Sequence, residues 1–187
     1  MGLKRGPMTL KDIETVLVEA ARLSNHRNFV VAGSLSVIGA VMRPPEDMLM
    51  SRDVDIYTKL DPGRVFVEIA EHIAEGSPFH VKHGFYANQI SPIILSLPDG
   101  WEARLIPVTL AQGVVANFID PNDMPVATLA RSESNDIHWV TSGVKAGIVK
   151  LETVDERLKK TYDILKADVK KARASIRAIR SMIAEGS

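Results

Sequence analysis

Glycine and proline interrupt the first 150 residues at short intervals and are then missing from Val154 to Ile183. Glycine weakens the interior of a helix or strand, and proline removes a donor and clashes with the preceding turn. The first stretch can therefore build only short elements, and the second reads as one long helix. This contrast divides the chain into a domain over 1–150 and a C-terminal helical extension over 151–187.

Within the first part, helical and alternating patterns take turns. Thr9 with an acid three residues on reads as a helix start, and Leu10, Ile13, Leu17, Ala20 and Ala21 follow on one helical face. Phe29-Val30-Val31-Ala32 is a buried strand stopped by Gly33, and Leu35 to Val41 a short helix leaving it. Val54-Asp55-Ile56-Tyr57 is a second strand, and Val65, Ile69 and Ile73 mark a helix ending before Gly76. The spacing predicts two or three strands between Pro78 and Leu97, another over Trp101 to Val108 and one over Gly113 to Ile119. Two helices follow, from Met124 and from Asn135. The pattern is that of an α/β (α+β) fold, a small mixed sheet with flanking helices.

Three pieces carry chemistry. Gly33-Ser34 between a strand and a helix offers backbone N–H groups and a hydroxyl to a phosphate; the same pair is also a common turn. Asp53-Val54-Asp55 on a strand places two carboxylates on one face. Such a pair suits Mg²⁺ or Mn²⁺, held by carboxylates together with substrate phosphates; the alternative is an exposed strand end neutralised by Arg52 or Lys59. Glu102 and Arg104 share a face of the expected strand, opposite Trp101, Ala103 and Leu105, so Glu102 is either a third acid or part of a solvated edge. His80 and His83 form a His-x-x-His pair, but a zinc site needs more ligands and a helix, and Gly84 argues against one. His80 is read as bonding locally near the pocket mouth. Trp101 and Trp139 are read as core residues.

Gly-Ser, then about twenty residues, then Asp-x-Asp, then one later acid resembles the pattern of the nucleotidyltransferase superfamily. Val30 to Gly39, Pro45 to Asp55, Gly76-Ser-Pro-Phe-His80, Gly84-Phe-Tyr-Ala87 and Leu97 to Val108 resemble a prokaryotic branch of uncharacterised nucleotidyltransferase-like proteins, related to the nucleotidyltransferases of toxin–antitoxin and abortive-infection systems. The resemblance implies a nucleoside triphosphate (NTP) on Gly33 and Ser34, and metal on Asp53, Asp55 and Glu102, with transfer of a nucleoside monophosphate to a hydroxyl on RNA or protein. It also implies the alternative of an inactive binding module. The chain departs from the family where a helical Lys and a Lys-Asp pair are usual, carrying Thr128 and Asn135-Asp136. Arg104 or Arg131 is then expected to bind the triphosphate, Arg104 first because it shares a face with Glu102.

The tail repeats Leu158, Tyr162, Leu165, Val169, Ala172, Ile176, Ile179 and Met182 at coiled-coil-like steps. That seam is expected to pack on the body or to join copies into a homo-oligomer. Between Arg157 and Arg180 lie nine basic residues against Asp163 and Asp168, in a chain of zero formal net charge. They read as a solvated face or as a contact for RNA or another phosphate-rich partner. The absence of cysteine excludes disulfides, thiolate zinc sites and a cysteine nucleophile. The start Met1 to Pro7 reads as neither signal peptide nor myristoylation site, and no apolar run is long enough to span a membrane. The expected location is the cytoplasm.

Overall fold

In the computed structural model, which describes residues 6–91 and 95–185, the first helix is fixed by its own sequence. The Asp12 N–H donates to the Thr9 hydroxyl while the Thr9 N–H donates to the Asp12 carboxylate, a reciprocal capping box. Asn25, in the left-handed region, closes this helix, α1 (Leu10–Ser24). Ile13, Val16, Leu17 and Ala20 form its buried stripe. Residues 1–5, with most of the start just discussed, lie outside the described residues.

Five short strands make one mixed sheet: β1 (Asn28–Val31), β2 (Asp53–Tyr57), β3 (Tyr86–Gln89), β4 (Ile106–Thr109) and β5 (Val115–Phe118), in the order β3-β2-β1-β5-β4. β1 runs parallel to β5 and antiparallel to β2; β2 is parallel to β3, and β4 antiparallel to β5. Alternation sends Phe29, Val31, Val54, Ile56, Ala87, Ala116 and Phe118 into the main core with the buried stripes of α1 and α3 (Pro62–His72). Val30 and Ala32 point the other way, into a smaller cluster with Ile119 and Met124, against which Tyr57, Trp101 and Leu105 pack. Asp53 and Asp55 alternate with Val54 and Ile56 and so lie on this second side. α2 (Val37–Ala40) crosses the sheet closely enough that a Cβ on Gly39 would overlap the Phe118 ring.

Two expected strand regions differ from the reading. Pro78 to His83 is helix α4, N-capped by Ser77, and Gly84 ends it in the left-handed region instead of preventing it. The remaining expected strands before Leu97 reduce to β3, with residues 92–94 outside the described residues. Trp101 to Arg104 is a 3₁₀ turn, because the Trp101 and Ala103 N–H groups donate to Pro98 and Gly100 carbonyls at 3.1 Å each. The strand begins only at Ile106, on the sheet edge, where Pro107 needs no ladder donor.

The tail is two helices, not one. After α5 (Met124–Arg131) and α6 (Ser134–Lys145) come α7 (Leu151–Leu158) and α8 (Lys166–Glu185). A continuous helix from 154 to 183 would run about 45 Å; instead the chain turns between Leu158 and Lys166. The loop of residues 96–99 takes the carbonyls between the two helices: the Asp99 N–H donates to Lys160 O at 3.0 Å, and the Ser96 hydroxyl to Asp163 O at 3.1 Å. The Thr161 hydroxyl donates back to Arg157 O at 3.0 Å. The expected seam divides accordingly. Leu158, Ala172, Ile176 and Ile179 join the main core, while Tyr162 and Leu165 are 81% and 72% exposed.

Ile179→Ala is therefore expected to lose about 2–5 kcal/mol, whereas Tyr162→Ser or Leu165→Ser should stay within about 0.5 kcal/mol of the parent. Urea denaturation of the three variants separates the bent tail from a single seamed helix.

Candidate functional site

β1 ends into Gly33, whose φ of +67° favours glycine. A Cβ at this position would also overlap the Asp55 carboxylate oxygen Oδ2. Glycine is thus required twice over, and the loop backbone lies directly against the Asp55 carboxylate. Ser34 opens a 3₁₀ turn (Ser34–Ser36) that leads into the four-residue α2. So short a helix contributes little dipole; what the loop offers is local, its N–H groups and the half-buried Ser34 hydroxyl. Two residues on, the fully buried Ser36 hydroxyl has no partner among the described residues.

Asp53 and Asp55 stand on one face of β2. The Ser51 hydroxyl donates to Asp53, and Asn88 Nδ2 donates to Asp55 Oδ1 at 2.7 Å. Among the described residues neither carboxylate has a Lys or Arg partner: Lys59 pairs with Glu102 at 3.0 Å, and Arg52 reaches the Gly6 carbonyl. Burial, reinforced by the negative charge of Asp53, pushes the Asp55 carboxyl up to about 6; the Asn88 bond and the Arg131 charge pull the other way.

Register extends this face onto β3. Asp53 lies opposite Tyr86, and Asp55 opposite Asn88. Burial, then Asp53, raises the Tyr86 hydroxyl. The His80 ring lies 4.7 Å from that of Tyr86, and the Gly76 N–H donates to His80 Nδ1, which puts the proton of neutral His80 on Nε2. His80 is thus bonded locally at the edge of the acid face, while His83 packs on Phe79 and Phe85.

Glu102 and Arg104 do not join the acids as expected. Glu102 is in the 3₁₀ turn, half-exposed and bound to Lys59, and the described residues contain no group of three acids or histidines able to hold a metal. Arg104 forks onto Asp123, Nε at 2.9 Å and Nη2 at 3.0 Å, and also donates to Asp99 O. Asp123 is fully buried and receives Arg157 as well, at 3.0 Å; Arg157 also bonds Asp120 at 2.6 Å. This four-membered cluster ties the 101–104 turn to the start of α5 and to α7. Arg131 instead carries its charge within electrostatic reach of Asp55 while bonding Asp136 in a fork. One turn before it, the buried Thr128 hydroxyl has no partner among the described residues.

Asn88 is the member of this face that the sequence did not reveal. It alternates with Tyr86, but nothing in the sequence pairs its strand with residues 53–57. A cavity of about 700 Å³ lies elsewhere, between α1, α3 and α4, and shares no lining residue with the acid face.

A family model described as a nucleotidyltransferase of unknown function (DUF6036) matches residues 9–180. No curated protein and no solved structure matches the chain.

Because the folded state holds the Asp55 proton more tightly than the unfolded chain, stability should fall as pH rises from about 4 to about 6 and then level. Asp55→Asn should remove that slope and stabilise the protein at pH 7–8 by up to about 3 kcal/mol, as read by denaturation at stepped pH. Asp123→Ala should instead cost about 3–5 kcal/mol, since Arg104 and Arg157 lose their buried partner.

Proposed function

We propose that this chain, which belongs to the nucleotidyltransferase family DUF6036, transfers a nucleoside monophosphate from an NTP to a hydroxyl acceptor on RNA or protein. The observation that supports this most is the acid face itself: two adjacent carboxylates with no Lys or Arg partner among the described residues, pressed against the Gly33 loop, with the Asp55 carboxyl pushed up to about 6. Such groups fit a divalent cation, since Mg²⁺ and Mn²⁺ are commonly held by one or two carboxylates plus substrate phosphates.

Asp53 and Asp55 would hold Mg²⁺ or Mn²⁺, which when bound polarises the α-phosphate. The other roles belong to the chain. Asn88 and Ser51 orient the two carboxylates. The Gly33–Ser34 backbone and the Ser34 hydroxyl hold phosphate oxygens. Arg131 supplies positive charge where the family-like Lys is replaced by Thr128. In the reaction the acceptor oxygen bonds to the α-phosphorus as the bond to the bridging oxygen breaks; pyrophosphate leaves, and the acceptor hydroxyl loses its proton to solvent.

One observation favours a second reading. With Glu102 bound to Lys59, only two acids share the face, an arrangement that also serves a nucleotide-binding module without catalysis. Under either reading the expected location is the cytoplasm, and the module would be a component of a toxin–antitoxin or defence system. No described helix is long and apolar enough to cross a membrane.

Asp55→Asn is expected to abolish Mn²⁺ binding in the presence of nucleotide while keeping the fold. Arg131→Ala should weaken nucleotide binding about ten- to hundredfold, the loss of one charge-assisted contact. Incubation with labelled nucleotides, Mn²⁺ and total RNA or protein tests transfer. Label that stays on nucleotide while nucleotide still binds selects the module; no nucleotide binding at all rejects both readings.

A further inference from the structure

Apart from Lys160, the nine basic residues of the tail separate into two groups once their partners are known. Arg157 is locked to Asp120 and Asp123, Lys159 pairs with Asp155, Lys171 with Asp168 and Arg180 with Glu152. Lys166, Lys170 and Arg177 have no carboxylate within ion-pair distance among the described residues, and Arg173 only the long 3.9 Å contact to Asp155. These four are spaced by four, three and four residues, so they form one stripe on the outward side of α8, opposite Ala172, Ile176 and Ile179. They line a shallow groove of about 440 Å³ floored by Val169. Neighbouring like charges on a helix face repel, and here no acid of the helix relieves them. Four residues before Lys166, Tyr162 stands 81% exposed.

We propose that this face of α8 docks the backbone of single-stranded RNA. The stripe extends about 16 Å along the helix, room for several phosphates. A basic groove tracks the backbone of a single strand, and Tyr162, exposed in the turn that precedes α8, supplies a ring for a base to stack on. A membrane surface fits less well, because the apolar side of α8 that would enter lipid is buried against the body. The surface needs neither metal nor nucleotide. Its identification with the acceptor of the transfer rests on the function proposed above; its binding of RNA does not.

The test is fluorescence anisotropy of a labelled RNA of about 12 nucleotides with the full chain, without metal or nucleotide, between 50 and 200 mM salt. The parent should bind with a log–log salt slope near −3, about 0.7 per phosphate contact. Lys166→Gln/Lys170→Gln/Arg177→Gln should weaken binding at least tenfold at low salt and flatten the slope by about 2. Tyr162→Ala should weaken binding about fivefold or more with the slope unchanged, the signature of lost stacking. Circular dichroism of both variants should match the parent, as all four side chains are exposed. Absent or salt-independent binding by the parent, or a triple variant that binds as the parent does, overturns the proposal. So does binding to phosphatidylserine-rich vesicles without binding to RNA. Asp55→Asn should bind the RNA unchanged, so failure of the transferase reading and failure of this one are read separately.

Discussion

The buried Asp123 carboxylate organises the half of the molecule that the sheet does not. It is fully enclosed, and it is tolerable there only because Arg104 forks onto it and Arg157 adds a third bond. Each of its partners comes from a different segment, one from the turn before β4 and one from α7, while Asp123 itself begins α5. The direction of α5 is thereby set, and with it the placing of Arg131 at its far end, where the charge reaches Asp55. α8 then lies across α5, with the Ser132 and Ser175 hydroxyls 3.1 Å apart.

The contrast with β2 is instructive. Asp123 is bonded by two guanidinium groups, although burial raises its carboxyl; Asp53 and Asp55 are crowded together with hydroxyl and amide partners and, among the described residues, no Lys or Arg partner. The sheet imposes this crowding, because alternation leaves no other face for residues 53 and 55 once Val54 and Ile56 fill the core. Removing Arg104 from the acid face, where its sequence neighbourhood had suggested it would be, makes the crowding more pronounced. The family-like motif around Trp101 to Arg104 thus serves architecture, and the positive charge nearest in influence to the acids is that of Arg131.

What could be read in the sequence was what is decided within a few residues. The capping box at Thr9, the stop at Gly33 and the alternation of Asp53 with Asp55 depend on local geometry alone. What could not be read depends on distant partners. The 101–104 turn alternates as a strand would, and only the bond between Arg104 and Asp123, nineteen residues on, gives its polar face a different purpose. The tail has no internal residue that must break a helix. Donors from residues 96–99 bend it by capturing its carbonyls, which no periodicity encodes. Asn88 comes to Asp55 through strand register across 33 residues.

The unpaired stripe on α8 also bears on how the molecule presents itself to solvent. The chain is formally neutral, yet α8 holds six basic side chains against Asp168 and Glu185. The remainder must therefore carry the compensating acidic surplus, so the charge of the neutral chain is unevenly divided between α8 and the rest. Near neutral pH and at low salt the α8 face is expected to be drawn to a cation-exchange matrix although the chain has no net charge to account for it.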